Sequence, residues 1–290
     1  MRSDKYYMKY DPVIVVGMHR SGTTMLSRTL EKAGLYQGWK KEVNNESSFF
    51  IKLNEWILRE LGGRWDTPEG LVDLSCHSQE HIEAIIRNLR DQLACPRALE
   101  YLGKRCISSP SLFNMHLPWC WKDPRTTLLM DIWLRIFPNA KVVHILRHGV
   151  DVAQSLRIRS SNYLTEKIST YQKHHWFYSM IGKRDLFTDS ARCLSLDGGF
   201  SLWEAYVMAA RRCCDLVSGG FLEVRYEDLL ENPEDILESV FQFCDLKFKH
   251  SSIQYYSDSF DKSKARHYLH SHELIEFSEK VATRLNFYGY

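Results

Sequence analysis

The chain has 290 residues, 44% hydrophobic and 26% charged, with a formal net charge of +2. That is the composition of an ordinary globular protein, long enough for a sizeable buried core. So small a net charge argues against a nucleic-acid partner, and any anion recognition must be local. No apolar run approaches the roughly eighteen residues of a membrane span, and MRSDKYYMKYDP at the start lacks the apolar core of a signal peptide.

Residues 13–16, VIVV, read as a short β-branched strand buried on both faces. After a glycine-bounded loop, Met25, Leu26, Leu30 and Ala33 recur at helical spacing, and Gly34 suits the residue after the helix end. A second apolar helix is predicted over 79–93, on Ile82, Ile85, Ile86, Leu89 and Leu93. Residues 117–121, LPWCW, suit a strand, and Asp123-Pro124 then reads as the cap and first residue of a helix. KVVHIL at 141–146 is a further strand, followed by a helix from about Gly149. A helix over 201–217, a strand at 221–226 and a helix after Asn232-Pro233 complete the pattern. Alternating strands and helices imply parallel pairing through crossovers, hence an α/β three-layer fold with a central parallel sheet. Residues 1–290 are read as one domain. Segments 40–75 and 157–200 fit the alternation worst and are read as insertions that cover a site.

The loop after the first strand is GMHRSGTT, residues 17–24. It nearly has the spacing of a phosphate-binding P-loop, G-x-x-x-x-G-K-[ST], with Thr23 where the lysine should stand. Between a strand and a helix start, backbone amides and the helix dipole converge on one point. Gly17 and Gly22 permit tight curvature, Ser21, Thr23 and Thr24 add hydroxyls, and Arg20 adds a forked cation in place of the lysine. His19 lies inside the loop, either against a ligand or as a partly exposed loop side chain. Such a loop suits a smaller anion than a magnesium-bound triphosphate. Sequence spacing offers no dedicated carboxylate or His/Cys cluster for a metal.

A second motif lies at 141–156, KVVHILRHGVDVAQSL. Asp151 and Ser155 fall one above the other on a helix, and Arg147 ends the strand before it, so a guanidinium and a hydroxyl meet at the sheet edge. Together, PVIVVGMHRSGTT and R-x-x-x-D-x-x-x-S resemble the sulfotransferases that use 3′-phosphoadenosine 5′-phosphosulfate (PAPS). Smaller matches are Trp121-Lys122-Asp123-Pro124-Arg125 and the R-Y-E-D-L segment from Arg225. The resemblance covers 12–35, 117–160 and 223–246. It implies PAPS as sulfuryl donor, held without metal by His19, Arg20, Ser21, Gly22, Thr23 and Thr24 at the 5′ end. Arg147 and Ser155 would hold the 3′-phosphate, and Tyr226 would lie near adenine or simply pack in the core. Asp151 is expected to steady the first turn of its helix by its charge.

The same resemblance makes Arg20, Lys122 and a carboxylate the catalytic candidates. Lys122 either meets the sulfuryl group or is a surface lysine. Glu46 is the first choice of general base, with Glu42 second, and the competing reading is that Glu46 starts the helix carrying Phe50, Leu53, Trp56 and Ile57. His116 lies too far before Arg147 for the histidine alignment of cytosolic members. The acceptor would be a hydroxyl, or an amine, of a small molecule, glycan or lipid. Alternatives are a P-loop kinase, which needs magnesium-ATP, and a nucleotide-binding module without turnover. The aromatics Trp39, Phe49, Phe50, Trp56 and Trp65 read first as core, and His174-His175 has no third ligand nearby. Eight cysteines without a C-x-x-C pair suggest reduced thiols and a cytoplasmic location, with Cys213-Cys214 incidental to helix packing. Oligomeric state is not legible.

Overall fold

The computed structural model describes residues 9–71, 74–94, 96–183 and 185–290. Four parallel strands, β1 (Val13–Val16), β2 (Cys120–Lys122), β3 (Lys141–Leu146) and β4 (Phe221–Arg225), form a sheet in the order β2-β1-β3-β4. β1 pairs with both neighbours, Val15 facing Lys122 on one side and Val143 on the other. Because the chain leaves β1 toward β2 and then returns to the opposite side, the crevice beyond β1 and β3 is the topological switch point where open α/β sheets bind ligands.

Strand side chains alternate between two cores, as a period of two demands. Ile14, Val16, Val142 and Leu146 face one cluster, with Phe50, Trp119, Trp121 and Trp133. Val13, Val15, Val143 and Ile145 face the other, with Leu26, Leu30, Leu229 and Leu237. Helices cover both faces: α1 (Thr23–Lys32), α2 (Ser48–Glu60), α3 (Gln79–Ala94), α4 (Met130–Ile136), α5 (Gly149–Lys173), α6 (His175–Ile181), α7 (Leu196–Arg212), α8 (Tyr226–Glu231) and α9 (Pro233–Phe243). This is the expected three-layer α/β arrangement. Phe49 and Phe50 are core, Phe50 stacking on Trp121 at 4.3 Å, whereas Trp39 is exposed.

Several expectations need correction. Asp123 does cap, its carboxylate accepting from the Arg125 amide at 3.0 Å, but the cap opens a 3-10 stretch, Pro124–Leu129, before α4 begins. α7 starts at Leu196, earlier than 201, capped by Ser195, and stops at Arg212. Its early glycines hid it, yet Gly199 is needed there, since a Cβ would come within 3.1 Å of the Ala153 backbone on α5. The segment 157–200 is not wholly an insertion, because α5 simply runs on to Lys173. Cys213 ends α7 as a buried, free thiol, and Cys214 is half-buried. No helix among the described residues is long and apolar enough to cross a membrane.

A buried polar network fixes α2 beneath the sheet edge. Asn54 donates to Asp123 Oδ2 and to Thr126 Oγ1, each at 2.8 Å, and accepts from Trp133 Nε1 at 2.8 Å. Fully paired, such a network specifies one docking geometry.

Candidate active site

All four strands end at the same cavity, of about 580 Å³. Lys122 is the last residue of β2, the loop leaves β1, Arg147 comes directly after β3 and Tyr226 directly after β4. Arg20, Lys122, Arg147, Arg159 and Lys264 line it against only Glu46 and Asp151, so the lining is cationic. That is the field an anionic ligand needs.

The loop is held in a shape that ordinary residues resist. Arg20 and Gly22 have positive φ, 72° and 93°. The Gly17 amide donates to Thr127 Oγ1 at 3.0 Å, and a Cβ on Gly17 would lie 2.4 Å from the Ile145 carbonyl, which lets β1 and β3 close together. Gly22 stands at the cap of α1, with no side chain to satisfy the helix start. The amides of Thr23 and Thr24 therefore have no intrahelical acceptor and open the helix toward the cavity. Ser21 and the Thr23 side chain are buried, so the outward hydroxyl is that of Thr24.

Arg20 Nε donates to Ser155 Oγ at 2.8 Å, joining the two motifs across 135 residues of sequence. Arg147 donates to the carbonyls of Arg20 at 3.3 Å and Lys264 at 3.1 Å, and its guanidinium lies 4.7 Å over the Tyr226 ring. Its buried Nε has no protein partner. Tyr226 also backs onto Gly22, where a Cβ would meet the ring at 2.3 Å, and is only 5% exposed. Its ring supports the loop and Arg147, with little surface left for a base. Asp151 does more than charge its helix: its carboxylate accepts from the amides of His267 and Tyr268, at 3.2 and 2.7 Å, and lies 3.4 Å from Arg147. It thereby ties a C-terminal turn to the cavity rim.

The cation that reaches the first turn of α1 by a hydrogen bond is Lys122, not Arg20. Lys122 is 1% exposed, with Nζ 2.8 Å from Glu46 Oε1 and 3.2 Å from Thr24 Oγ1. Glu46 precedes α2 rather than starting it, since Ser47 occupies the cap position. A tight turn delivers it: Glu42 N–H donates to the Glu46 carbonyl at 2.8 Å, and Asn45 adopts φ 60°. Burial lifts the Glu46 carboxyl above the usual carboxylate range even with Lys122 beside it. The same burial lowers the Lys122 ammonium. Both directions reflect the cost of holding charge away from water. Glu42 is exposed and accepts from Ser48, and His116 is exposed and away from the cavity.

His19 turns inward. Its ring packs edge-on to Trp65 at 5.0 Å, its Nε2 is buried without a partner, and burial, with Arg125, Arg159, Lys122 and Arg20 nearby, pushes the imidazole well below its usual range. Arg159 is a site residue that no sequence motif named. It lies 4.9 Å from the Trp65 ring centre, donates to Asp189 at 2.9 Å, and keeps an unpartnered buried Nε. The signal was available, because Arg159 stands four residues after Ser155 on the same helix face. Lys264 and His267, by contrast, come from a segment with no motif. Among the described residues no group of three or more His, Cys, Asp or Glu side chains could hold a metal ion.

The residues fit an anionic ligand: open helix amides at one end, two arginines with unpaired buried nitrogens, and a cationic lining. One solved structure among those compared supports the fold. The sulfotransferase domain from the curacin biosynthetic pathway is 14% identical, covering 95% of this chain and 98% of that one, with a TM-score of 0.50. The sulfotransferase domain from the Synechococcus PCC 7002 olefin synthase is 18% identical over 91% of this chain and 84% of that one, with a TM-score of 0.45. An uncharacterized protein of Aquifex aeolicus (strain VF5) is 24% identical over 251 residues, 84% of this chain. The chain spans 27% of the length of that relative. The family described as the sulfotransferase family matches residues 12–250. On that match over most of its length, the chain belongs to the sulfotransferase family.

Proposed function

We propose that this chain is a PAPS-dependent sulfotransferase acting on a hydroxyl, or an amine, of a small molecule, glycan or lipid acceptor. The observation that carries the reading is the buried Lys122–Glu46 pair at the first turn of α1, inside the cavity that also holds Arg20, Arg147 and Ser155. We also read residues 1–290 as one unit, because Asn44 and Glu46 of the first presumed insertion line the same cavity as Arg159 of α5.

Bound there, the donor supplies a sulfuryl group on its 5′-phosphate, whose oxygen keeps the electron pair of the broken S–O bond. The amides of Thr23 and Thr24, with Arg20, hold that 5′ end. Arg147 and Ser155 hold the 3′-phosphate, Arg147 being pre-aimed by Tyr226 and by two carbonyls. Lys122, seated between Thr24 and Glu46, offers its ammonium to the charge that builds on the leaving oxygen. Glu46 takes the proton of the acceptor, and burial keeps its carboxylate basic enough for that work. His19, packed edge-on to Trp65, forms part of the cavity wall behind the loop. Apart from that proton transfer, the protein's task is positioning and charge stabilisation.

The deciding experiment is thermal stabilisation by 3′-phosphoadenosine 5′-phosphate against ADP and magnesium-ATP, in chelator-treated buffer. A ligand that binds only the native state raises the melting temperature with its concentration. Stabilisation by the 3′-phosphorylated nucleotide alone, lost in Arg147→Ala, is expected. Stabilisation by magnesium-ATP instead would replace this reading with a kinase. Nucleotide binding without transfer to any acceptor panel would leave a non-catalytic module.

A further inference from the structure

We propose that the distal part of α5 and the whole of α6 form an arm that docks on an anionic lipid surface. Ser160 is the last buried residue of α5, and α6 has no buried residue at all. The arm leaves the body along the helix that carries Ser155. At about 1.5 Å per residue the end of α5 lies about 27 Å beyond that serine.

The end of the arm is nonetheless built. Tyr171 stacks on Tyr178 at 5.6 Å and meets Phe187 edge-on at 5.4 Å, and the Lys183 ammonium lies 4.4 Å from the Phe187 ring centre. With these rings used internally, α6 turns other apolar groups outward. Trp176 is 65% exposed and Met180, one turn on, 77%. Beside them Phe177 is 44% and Ile181 53% exposed. A contiguous apolar face of this kind marks an interaction surface, unlike the scattered apolar residues of ordinary surfaces.

Charge selects the occupant. Within the arm, residues 161–181, Lys167 and Lys173 stand against the one acidic residue Glu166, with His174 and His175 beside them, and Lys183 follows just beyond. Lys173, His174 and His175 are exposed next to the apolar face. Tryptophan and phenylalanine flanked by lysine are what the interface of an anionic bilayer accommodates, the rings at headgroup depth and the ammonium groups among phosphates. A second copy pairing through the same face by a two-fold axis would bring these cations against one another. This inference does not depend on the sulfotransfer reading.

The test is flotation of the full chain with vesicles of phosphatidylcholine alone and of equal parts phosphatidylcholine and phosphatidylserine. Binding to the anionic vesicles is expected to exceed binding to the neutral ones by about tenfold or more. Trp176→Glu with Met180→Glu should abolish it, and Lys173→Gln should weaken it about fivefold. All these side chains are exposed, so melting temperature and far-UV circular dichroism should stay as in the wild type and certify the fold. Equal binding to both vesicles, or flotation of the double variant as wild type, overturns the proposal. So does a vesicle-free dimer, seen by sedimentation, that the double variant disrupts.

Discussion

The cavity has two halves built on different principles. The loop half, Gly17 to Thr24 with Arg147, Ser155 and Tyr226, is made of main chain at strand ends. Its shape rests on the absence of atoms: two glycines whose missing Cβ groups would strike the Ile145 carbonyl and the Tyr226 ring. The carboxylate half, Glu46, Lys122, His19, Trp65 and Arg159, is made of side chains from separate stretches of chain. Its shape rests on paired charge and on buried nitrogens without a partner. The first half should therefore break when something is added, and the second when something is removed.

The largest contrast is expected in the carboxylate half. Glu46→Gln should lower kcat by about 10²- to 10⁴-fold while leaving 3′-phosphoadenosine 5′-phosphate affinity nearly unchanged, which pre-steady-state and binding assays separate. A parallel fall in nucleotide affinity would move Glu46 out of the base role. Next, Lys122→Met strands the Glu46 carboxylate and should cost about 3 kcal/mol in chemical denaturation. Adding Glu46→Leu should recover most of that stability but none of the activity; failure to recover would mean that packing, not charge, holds this half.

In the loop half, Gly22→Ala should cost about 1–3 kcal/mol, through both the ring clash and the positive φ, and should remove nucleotide-induced stabilisation. Ser155→Ala, which deletes only the partner of Arg20, should weaken nucleotide binding by about tenfold. The finest test is pH. Burial raises the Glu46 carboxyl from its usual 4.5, so the folded chain keeps this proton to higher pH than the unfolded chain does. The contribution of this group to stability is therefore greatest below 4.5 and declines as pH climbs through the raised value. Over the same window the base becomes ionised and the rate should rise. Glu46→Gln should remove both slopes from rate and melting profiles. A rate limb that survives in that variant belongs to another group.

Much of the loop half was legible because its information is local. VIVV, the glycine spacing and the amphipathic run after it specify strand, turn and helix within a few residues. Arg147 and Ser155 are set by strand end and helical period. Even Arg159 could have been read by counting one more turn. The 3-10 stretch after Asp123 and the early start of α7 were not legible, because Pro124 and two glycines leave local preference indecisive and packing chose. The role of Asp151 was also hidden: its partners are the amides of a turn 116 and 117 residues away.

By itself, then, the sequence determined the order of the four strands and of most helices between them, the phosphate-type loop, the basic strand end and the residue types available for chemistry. Only the tertiary structure decided which of them meet. Glu46 and Lys122 stand 76 residues apart and find each other because the Asn54–Asp123 network docks α2 under the end of β2. It also decided that Lys122, rather than a residue of the loop, reaches the helix start, and that Tyr226 supports Arg147. Periodicity encodes which face of an element is buried, but not which neighbour buries it. That choice is made by packing and by the need of each buried charge for a partner.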